Sequence, residues 1–367
     1  MRRWWRELRA CLAAPSALQL YQRCVTGVTP PTPARVDCER LCRCVRKPLT
    51  DLLYPPAACA EPLHLDVGEG HRICVRDFGN TTGHAVLFLH GGPGSGCRID
   101  QHRLFDPTHY RVLLVDQRGS GLSTPGGAVQ ANTTDHLLQD METLRDHLGI
   151  RRWLLFGGSW GATLALRYAQ THPHVVSALV LRGTFLARSL DLAWFFGKAG
   201  AARIFPRDYD AFAGPVPKHE REDLIGAYHR RVHGPDTETA TTWARRWYEW
   251  GDRVACWNLS DRVQDAGPDA RRLLAKVRID THYALNRYFL GDRPLLDGIG
   301  RLPDVPVTIV HGERDLVCPC EAAWTLHHAI PGSRLELLPD TGHLLDEPAM
   351  TNALIRATDR LRGVLSD

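Results

Sequence analysis

The chain has 367 residues, of which 44% are hydrophobic and 23% charged, and its formal net charge at pH 7 is only +4. A chain of this length can bury a large core, and so small a net charge gives no electrostatic footprint for nucleic acid. No apolar run approaches the roughly 18 residues that cross a bilayer. We therefore expect a cytoplasmic globular protein without nucleic-acid or membrane partners, whose oligomeric state the sequence leaves open.

The eleven cysteines do not form a metal or disulfide pattern. Cys38, Cys42 and Cys44 cluster without a matching second group, and Cys318 and Cys320 are too close in sequence for the usual zinc pair. Free thiols in a reducing compartment are the simpler interpretation. The sequence predicts no metal and no cofactor.

Residues 1–50 differ in composition from the rest, with ten basic residues against three acidic ones. A targeting segment is one interpretation, because such segments are rich in arginine and poor in acids. The segment has no long apolar centre, however, so a disordered, basic, cysteine-containing extension is the favoured prediction.

The globular pattern begins near Leu53. Ala85–Leu89 and Arg111–Val115 are apolar runs of strand length, which predict buried parallel strands. Asp135–Leu148 carries leucines and a methionine on one face and predicts an amphipathic helix that Asn132, Thr133 or Thr134 can cap and Gly149 can end.

The next elements surround a G-x-S-x-G motif. Trp153–Phe156 predicts a strand and Ala162–Ala169 a helix, and the motif runs between them from Gly157 to Gly161. A sharp strand-to-helix turn leaves no room for a Cβ at either end and lifts the central hydroxyl of Ser159 off the sheet. The alternative is a glycine turn with an incidental serine.

Further apolar runs at Ala178–Leu181 and Val307–Val310 alternate with helices, which predicts an α/β protein with a mostly parallel sheet and helices on both faces. Between these two runs no strand pattern is visible, and five of the ten tryptophans fall there. We predict an inserted helical lid. The expected organisation is a core in two parts, 51–184 and 303–367, with a cap at 185–302.

A serine hydroxyl needs a base, and the base needs a group that orients it. Asp315 follows a strand pattern in VTIVHGERD, and His343 follows the next one in LELLPDTGH. The order Ser159, Asp315, His343 is that of an α/β-hydrolase triad. An oxyanion hole is also required. Its candidates are the N–H of Trp160 and that of Gly92 in the HGGPG loop, where Pro93 has no N–H to offer.

From Leu53 to about Leu361 the sequence resembles the proline iminopeptidase family of α/β-hydrolases. The matching stretches include HGGPG, YRVLLVDQRGSGLS, GGSWGATLALRYAQTHP, LRGTF, RIDTHY and HGERDLVCP. The resemblance implies an α/β-hydrolase fold with an inserted lid. It also implies a serine aminopeptidase that releases N-terminal proline, or a similar residue, from short peptides through an acyl-enzyme. It assigns Ser159, Asp315 and His343 to the triad.

Members of that family bind the substrate amine with lid glutamates. Here Trp250 is followed by Gly251 where the family has one glutamate, and Asp280 in RIDTHY stands where it has the other. We hypothesise that Asp280, helped by Glu249 or Asp252, binds the amine while lid tryptophans wall the pocket. In the alternative, these acids pair with nearby arginines on a solvated helix face. Those arginines are Arg245, Arg246, Arg253 and Arg278.

Two other functions compete with the aminopeptidase. A carboxylesterase or amidase could have kept the scaffold and changed its lid specificity. A catalytically silent binding protein is the third hypothesis, against which the complete triad argues. Related folds that work as dehalogenases or epoxide hydrolases use an aspartate where this chain has Ser159, so those reactions are not expected.

Overall fold

The computed structural model describes residues 52–256, 269–291 and 295–364. Its centre is one sheet of eight strands. The strands are β1 (Leu63–Asp66), β2 (Arg72–Gly79), β3 (His84–Leu89), β4 (Tyr110–Asp116), β5 (Trp153–Gly158), β6 (Val176–Arg182), β7 (Val307–Gly312) and β8 (Arg334–Leu338). Their order across the sheet is β1-β2-β4-β3-β5-β6-β7-β8. The predicted extension at residues 1–50 lies outside the described residues.

The sheet is parallel from β4 to β8, and only β1 and β2 are antiparallel to their neighbours. The predicted α/β fold is therefore confirmed. The antiparallel pair is absent from the sequence prediction for a physical reason. β1 alternates half-buried and exposed residues, and Arg76 and Asp77 interrupt the apolar run of β2. Neither strand has the continuous apolar sequence of a strand buried on both faces.

Four helices of the core cover the two faces of the sheet. They are α1 (Thr134–His147) and α2 (Trp160–Thr171), and, after the cap, α8 (Cys320–Ala329) and α9 (Pro348–Arg362). Alternate residues of a strand point to opposite faces. Leu87 and Leu89 of β3 join the apolar cluster of α1, α2 and α8, whereas Val86 and Phe88 join that of α9. Of these four helices, α9 thus packs on one face of the sheet, and the other three pack on the opposite face.

The predicted start and end signals of α1 are present. Thr133 is the N-cap, and its hydroxyl accepts a hydrogen bond from the N–H of His136. Gly149 follows the helix with φ +63°, a left-handed conformation that favours glycine. The observed helix begins and ends one residue before the predicted range. Within the described ranges, no helix has both the length and the apolar character needed to span a bilayer.

The cap occupies the connection between β6 and β7, and the regular secondary structure of its described residues is all helical. Its α-helices are α3 (Ser189–Phe196), α4 (Pro206–Ala213), α5 (Leu224–Val232), α6 (Thr237–Ala255) and α7 (Ala270–Leu285). These helices form their own apolar cluster, in which the rings of Phe212 and Tyr228 stack at 4.6 Å and those of Phe212 and Trp250 at 5.7 Å. Most of the lid tryptophans predicted to wall a pocket belong to this cluster.

Candidate active site

Ser159 lies at a strained turn between β5 and α2. Its φ of +57° and ψ of −121° lie outside the regions that non-glycine residues favour. The glycines around it have no space for a side chain. A Cβ on Gly161 would lie 2.0 Å from the carbonyl oxygen of Leu89, and one on Gly157 would lie 2.2 Å from that of Gly161. The turn has the geometry of a nucleophile elbow, as the motif predicts.

The predicted acid and base meet beyond the ends of β7 and β8. His343 Nδ1 lies 2.6 Å from Asp315 Oδ2. Because an ionised carboxylate only accepts hydrogen bonds, Nδ1 carries the proton and Nε2 is left as an acceptor. Burial alone would raise the pKa of Asp315, but the His343 and His311 rings outweigh burial and lower it. Asp315 is therefore ionised and orients His343.

The second carboxylate oxygen of Asp315 is fixed by backbone hydrogen bonds. Its Oδ1 accepts hydrogen bonds from the N–H groups of Val317 at 2.9 Å and Cys318 at 2.8 Å. His311, fully buried in β7, accepts from the N–H of Thr184 at 3.0 Å and donates from Nε2 to the carbonyl of Cys318 at 2.8 Å. Sequence reasoning missed His311, although it is the first residue of the HGERD stretch that contains the acid.

Arg182 is a second residue that sequence reasoning missed. This buried residue ends β6, and its Nη1 donates to the carbonyl oxygen of His343 at 2.7 Å and lies 3.5 Å from His343 Nε2. A Cβ on Gly158 would lie 2.4 Å from Arg182 Nη2, so the glycine gives the guanidinium its space. A single arginine at the end of the apolar strand VSALVLR was the available signal.

Ser159 and His343 face one cavity of about 460 Å³ between the core and the cap. Cys318 lines the same cavity. Burial raises the pKa of Cys318 well above its ordinary value. Because only the thiolate is a strong nucleophile, Cys318 is a poor candidate, and Ser159 remains the candidate nucleophile of this cavity.

The loop after β3 packs directly on the elbow. A Cβ on Gly91 would lie 3.3 Å from the Cβ of Ser159, and Gly92, with φ +113°, lines the cavity. Trp160 is the first residue of α2, where N–H groups have no partner within the helix. Of the two candidate oxyanion donors, Trp160 thus lies at the elbow itself and Gly92 lines the same cavity as Ser159.

Asp280 also lines this cavity, from helix α7. It is only 7% exposed, and one carboxylate oxygen is paired with Lys276. Burial raises the pKa of Asp280, while Lys276 and the Trp247 indole oppose that rise. The other oxygen, Oδ1, is buried and has no hydrogen bond of good geometry within the described chain.

The other two candidate acids lie differently. Asp252 lines the cavity but is exposed to solvent, and Glu249 is exposed without lining it. Arg253 pairs with Asp208 at 3.4 Å, and Arg278 donates to the carbonyl of Val232. Among the described residues, Asp280 is thus paired with a lysine and with none of the four arginines of the alternative hypothesis.

An oriented His–Asp pair that shares a cavity with a serine on a strained elbow, on a mostly parallel sheet and in the chain order serine, acid, histidine, defines a serine hydrolase of the α/β-hydrolase class. The model of the alpha/beta hydrolase fold family matches residues 84–346. A crystal structure titled as the proline iminopeptidase of Mycobacterium smegmatis has a TM-score of 0.54 at 18% identity, covering 83% of this chain and 100% of that one, a likeness of fold alone.

Relatives found by sequence identify the family within the α/β-hydrolase class. A probable proline iminopeptidase of Leptolyngbya boryana is 43% identical over 309 residues, covering 84% of this chain and 96% of the relative. The proline iminopeptidase of Arabidopsis thaliana is 41% identical over 316 residues, covering 85% and 83%. The chain belongs to the proline iminopeptidase family of α/β-hydrolases, and the resemblance seen in its motifs is confirmed.

Proposed function

We propose that this protein is a serine aminopeptidase that releases an N-terminal proline, or a similar residue, from short peptides. One observation supports the substrate class above all. A buried carboxylate with an unpartnered oxygen, that of Asp280, lines the same 460 Å³ cavity as Ser159 and His343. A cationic amine in a closed pocket requires an anionic partner of this kind.

The reaction proceeds through an acyl-enzyme. His343 Nε2 takes the hydroxyl proton as Ser159 Oγ attacks the carbonyl carbon of the N-terminal residue, and the N–H groups of Gly92 and Trp160 bind the oxyanion that forms. Imidazolium then gives the proton to the leaving amine as the C–N bond breaks. Water, deprotonated by the same nitrogen, attacks the ester, and the free amino acid leaves as Ser159 regains its proton.

Amine recognition falls to Asp280 rather than to the other buried acid of the cavity. Both oxygens of Asp191 accept hydrogen bonds from Arg188, at 2.8 Å for one and at 2.9 and 3.1 Å for the other. Asp280 Oδ1 accepts no hydrogen bond of good geometry from the part of the chain that the structure describes. Asp252, at the exposed side of the cavity, serves as a secondary charge that attracts the amine, and Glu249 faces solvent.

The wall of the cavity suits a compact apolar ring. Phe195, Phe196, Trp247 and Tyr288 contribute aromatic surface to it. Of the lid tryptophans in the described part of the cap, Trp247 alone lines the cavity. The side chain of proline can pack on such a surface with little loss of entropy.

A turnover panel tests this proposal. Proline, alanine and leucine arylamides would be compared with the same compounds blocked at the amine, and with a small neutral acyl ester. We expect hydrolysis of the free prolyl compound to exceed all the others and to disappear on blocking. If the enzyme hydrolyses the ester but no free-amine arylamide, it is a carboxylesterase or amidase instead. The sequence relatives do not favour that alternative.

We also propose that the enzyme acts in the cytoplasm on small peptides. All six cysteines of the described residues are free thiols, which suits a reducing compartment. Fractionation of the native source, with the arylamide activity followed through the fractions, tests this location.

A further inference from the structure

A chain of buried hydrogen bonds lies behind the elbow and centres on Gln117, the residue after β4. Its Oε1 accepts a hydrogen bond from the indole Nε1 of Trp160 at 2.9 Å. Its Nε2 donates to the carbonyl oxygen of His90 at 3.0 Å. Gln117, His90 and Trp160 are 5%, 3% and 0% exposed.

The orientation of the amide is set by the chemistry of its partners. The indole of Trp160 only donates, and a carbonyl only accepts, so the oxygen of Gln117 must face Trp160 and its nitrogen must face His90. A leucine or methionine in this position would leave both buried partners unsatisfied.

His90 has one tautomer in this arrangement. Its Nε2 accepts from the backbone N–H of Gln117 at 3.1 Å, so the proton is on Nδ1, which donates to the carbonyl of Gly91 at 2.8 Å. Burial lowers the pKa of His90, with Asp116 opposing the shift, which suits a neutral ring that uses one donor and one acceptor. The start of the HGGPG loop is therefore held by three hydrogen bonds.

These bonds join the two arms of the proposed oxyanion hole. Trp160 supplies one N–H, and Gly92, two residues after His90, supplies the other. The Trp160 ring also packs against Tyr283 at 5.1 Å and Tyr288 at 5.4 Å, but those contacts come from the cap and do not involve the loop after β3. Gln117, by contrast, bonds to both arms, through the Trp160 indole and the carbonyl of His90.

We propose that Gln117 is a positioning residue that sets the spacing of the two oxyanion donors. It touches neither substrate nor reacting atoms. The proposal rests on the proposed serine-hydrolase function of this site, but not on the amine specificity, since any acyl substrate passes through the same oxyanion.

The test is Gln117→Met, which keeps the volume and removes both side-chain hydrogen bonds. A displaced donor should cost less than the 10²- to 10³-fold loss that follows removal of one, so we expect kcat to fall about 10- to 100-fold. KM should change less than about twofold, because ground-state binding does not use the hole. Affinity for a prolyl boronic acid, whose adduct with Ser159 is tetrahedral, should fall in proportion to kcat.

Gln170→Met is the matched control. Gln170 is also 5% exposed, lies on α2 with Trp160, and donates one buried hydrogen bond, from Nε2 to the carbonyl of Leu295 at 2.7 Å. We expect this variant to lose thermal stability but to keep kcat and boronate affinity. If Gln117→Met behaves like Gln170→Met, with lower stability and unchanged kcat, Gln117 is structural only and the proposal is wrong.

Two further measurements keep the outcome clear. If Gln117→Met does not fold, Trp160→Phe removes the indole donor with Gln117 in place and should lower kcat in the same way, whereas wild-type kcat would refute the proposal. The rate of labelling of Ser159 by a fluorophosphonate, measured alongside, reports on the oxyanion hole without any amine. Labelling of the wild type without prolyl turnover would contradict the aminopeptidase and leave the Gln117 test intact.

Discussion

The core and the cap each place a buried aspartate beside the active-site cavity. The two carboxylates differ in how many of their oxygens accept hydrogen bonds from the protein. Asp315 of the core accepts hydrogen bonds from His343, Val317 and Cys318, which use both oxygens. Asp280 of the cap has one oxygen paired with Lys276, and its other oxygen accepts no hydrogen bond of good geometry from the described residues. An unsatisfied buried acceptor is costly, so the contrast indicates what each group is for. Under the proposed function, the chain itself completes the catalytic aspartate, whereas the substrate amine completes Asp280.

The largest expected effect comes from removing the proposed nucleophile of the core, Ser159. Ser159→Ala should lower kcat by about 10⁶-fold for every substrate, because the triad acts as a unit. The melting temperature should stay at or above that of the wild type, since the substitution removes only a hydroxyl from a strained residue. Single-turnover kinetics with the prolyl arylamide measure the loss of activity, and thermal denaturation measures the melting temperature. Appreciable turnover by a pure, folded variant would require a different nucleophile.

The next test concerns the cap alone. Asp280→Asn should lower kcat/KM for free-amine substrates, because a buried cation loses its partner. The loss of transition-state stabilisation should be about 2–4 kcal/mol. Turnover of a small neutral ester should stay within about twofold, because Ser159, Asp315 and His343 are unchanged.

Glu249→Gln is the matched control for that substitution, since it removes the same charge from an exposed position outside the cavity. It should leave both substrates unaffected. Equal losses on amine and ester in Asp280→Asn would instead indicate structural damage, and no loss on either would remove Asp280 from recognition.

A smaller effect concerns acid stability of the cap. Burial, helped by the neighbouring His229 ring at 4.1 Å, lowers the pKa of His233 to about 4. The unfolded chain binds this proton near pH 6.5 and the folded one only near pH 4, so the unfolded state binds more protons between these values. The free energy of unfolding should therefore decrease as pH falls from about 6.5 to 4. Because His233 is only half-buried, we expect about 1–2 kcal/mol from it.

Urea denaturation at pH 7 and pH 4.5 measures that decrease, and His233→Gln should reduce the difference between the two pH values. An identical difference in the variant would assign the acid sensitivity to other histidines. His90 and His311 of the core are candidates, because burial lowers the pKa of each.

The smallest expected effect belongs to residues 1–50. Deleting them should leave kcat/KM unchanged and lower the free energy of unfolding by less than about 2 kcal/mol. The match to the α/β-hydrolase family begins only at residue 84, and the segment has no apolar periodicity. Loss of soluble expression, or a larger drop in stability, would show that the segment contributes to the folded domain.

The sequence predicted the core far better than the cap site. Ser159, Asp315 and His343 could be found because parallel strands and an elbow bring their chain positions to one edge of a sheet. Arg182 and His311 support them through contacts between distant segments, which no local pattern reveals. In the cap, the pairing of Lys276 with Asp280 is readable as an i,i+4 pair on a helix. Which side of that helix meets the cavity depends on how five helices pack, and neither spacing nor composition specifies that packing.

The position of the cap in the chain has a consequence for the order in which the protein is made. β6 and β7 are neighbours in the sheet, yet the whole cap separates them in sequence. Arg182 and His343, which share a hydrogen bond, are 161 residues apart. The ribosome therefore releases the elbow and its glycine loop well before the acid and the base. In the proposed mechanism, the nascent chain therefore carries Ser159 without its base, His343, until the residues that follow β8 have been synthesised.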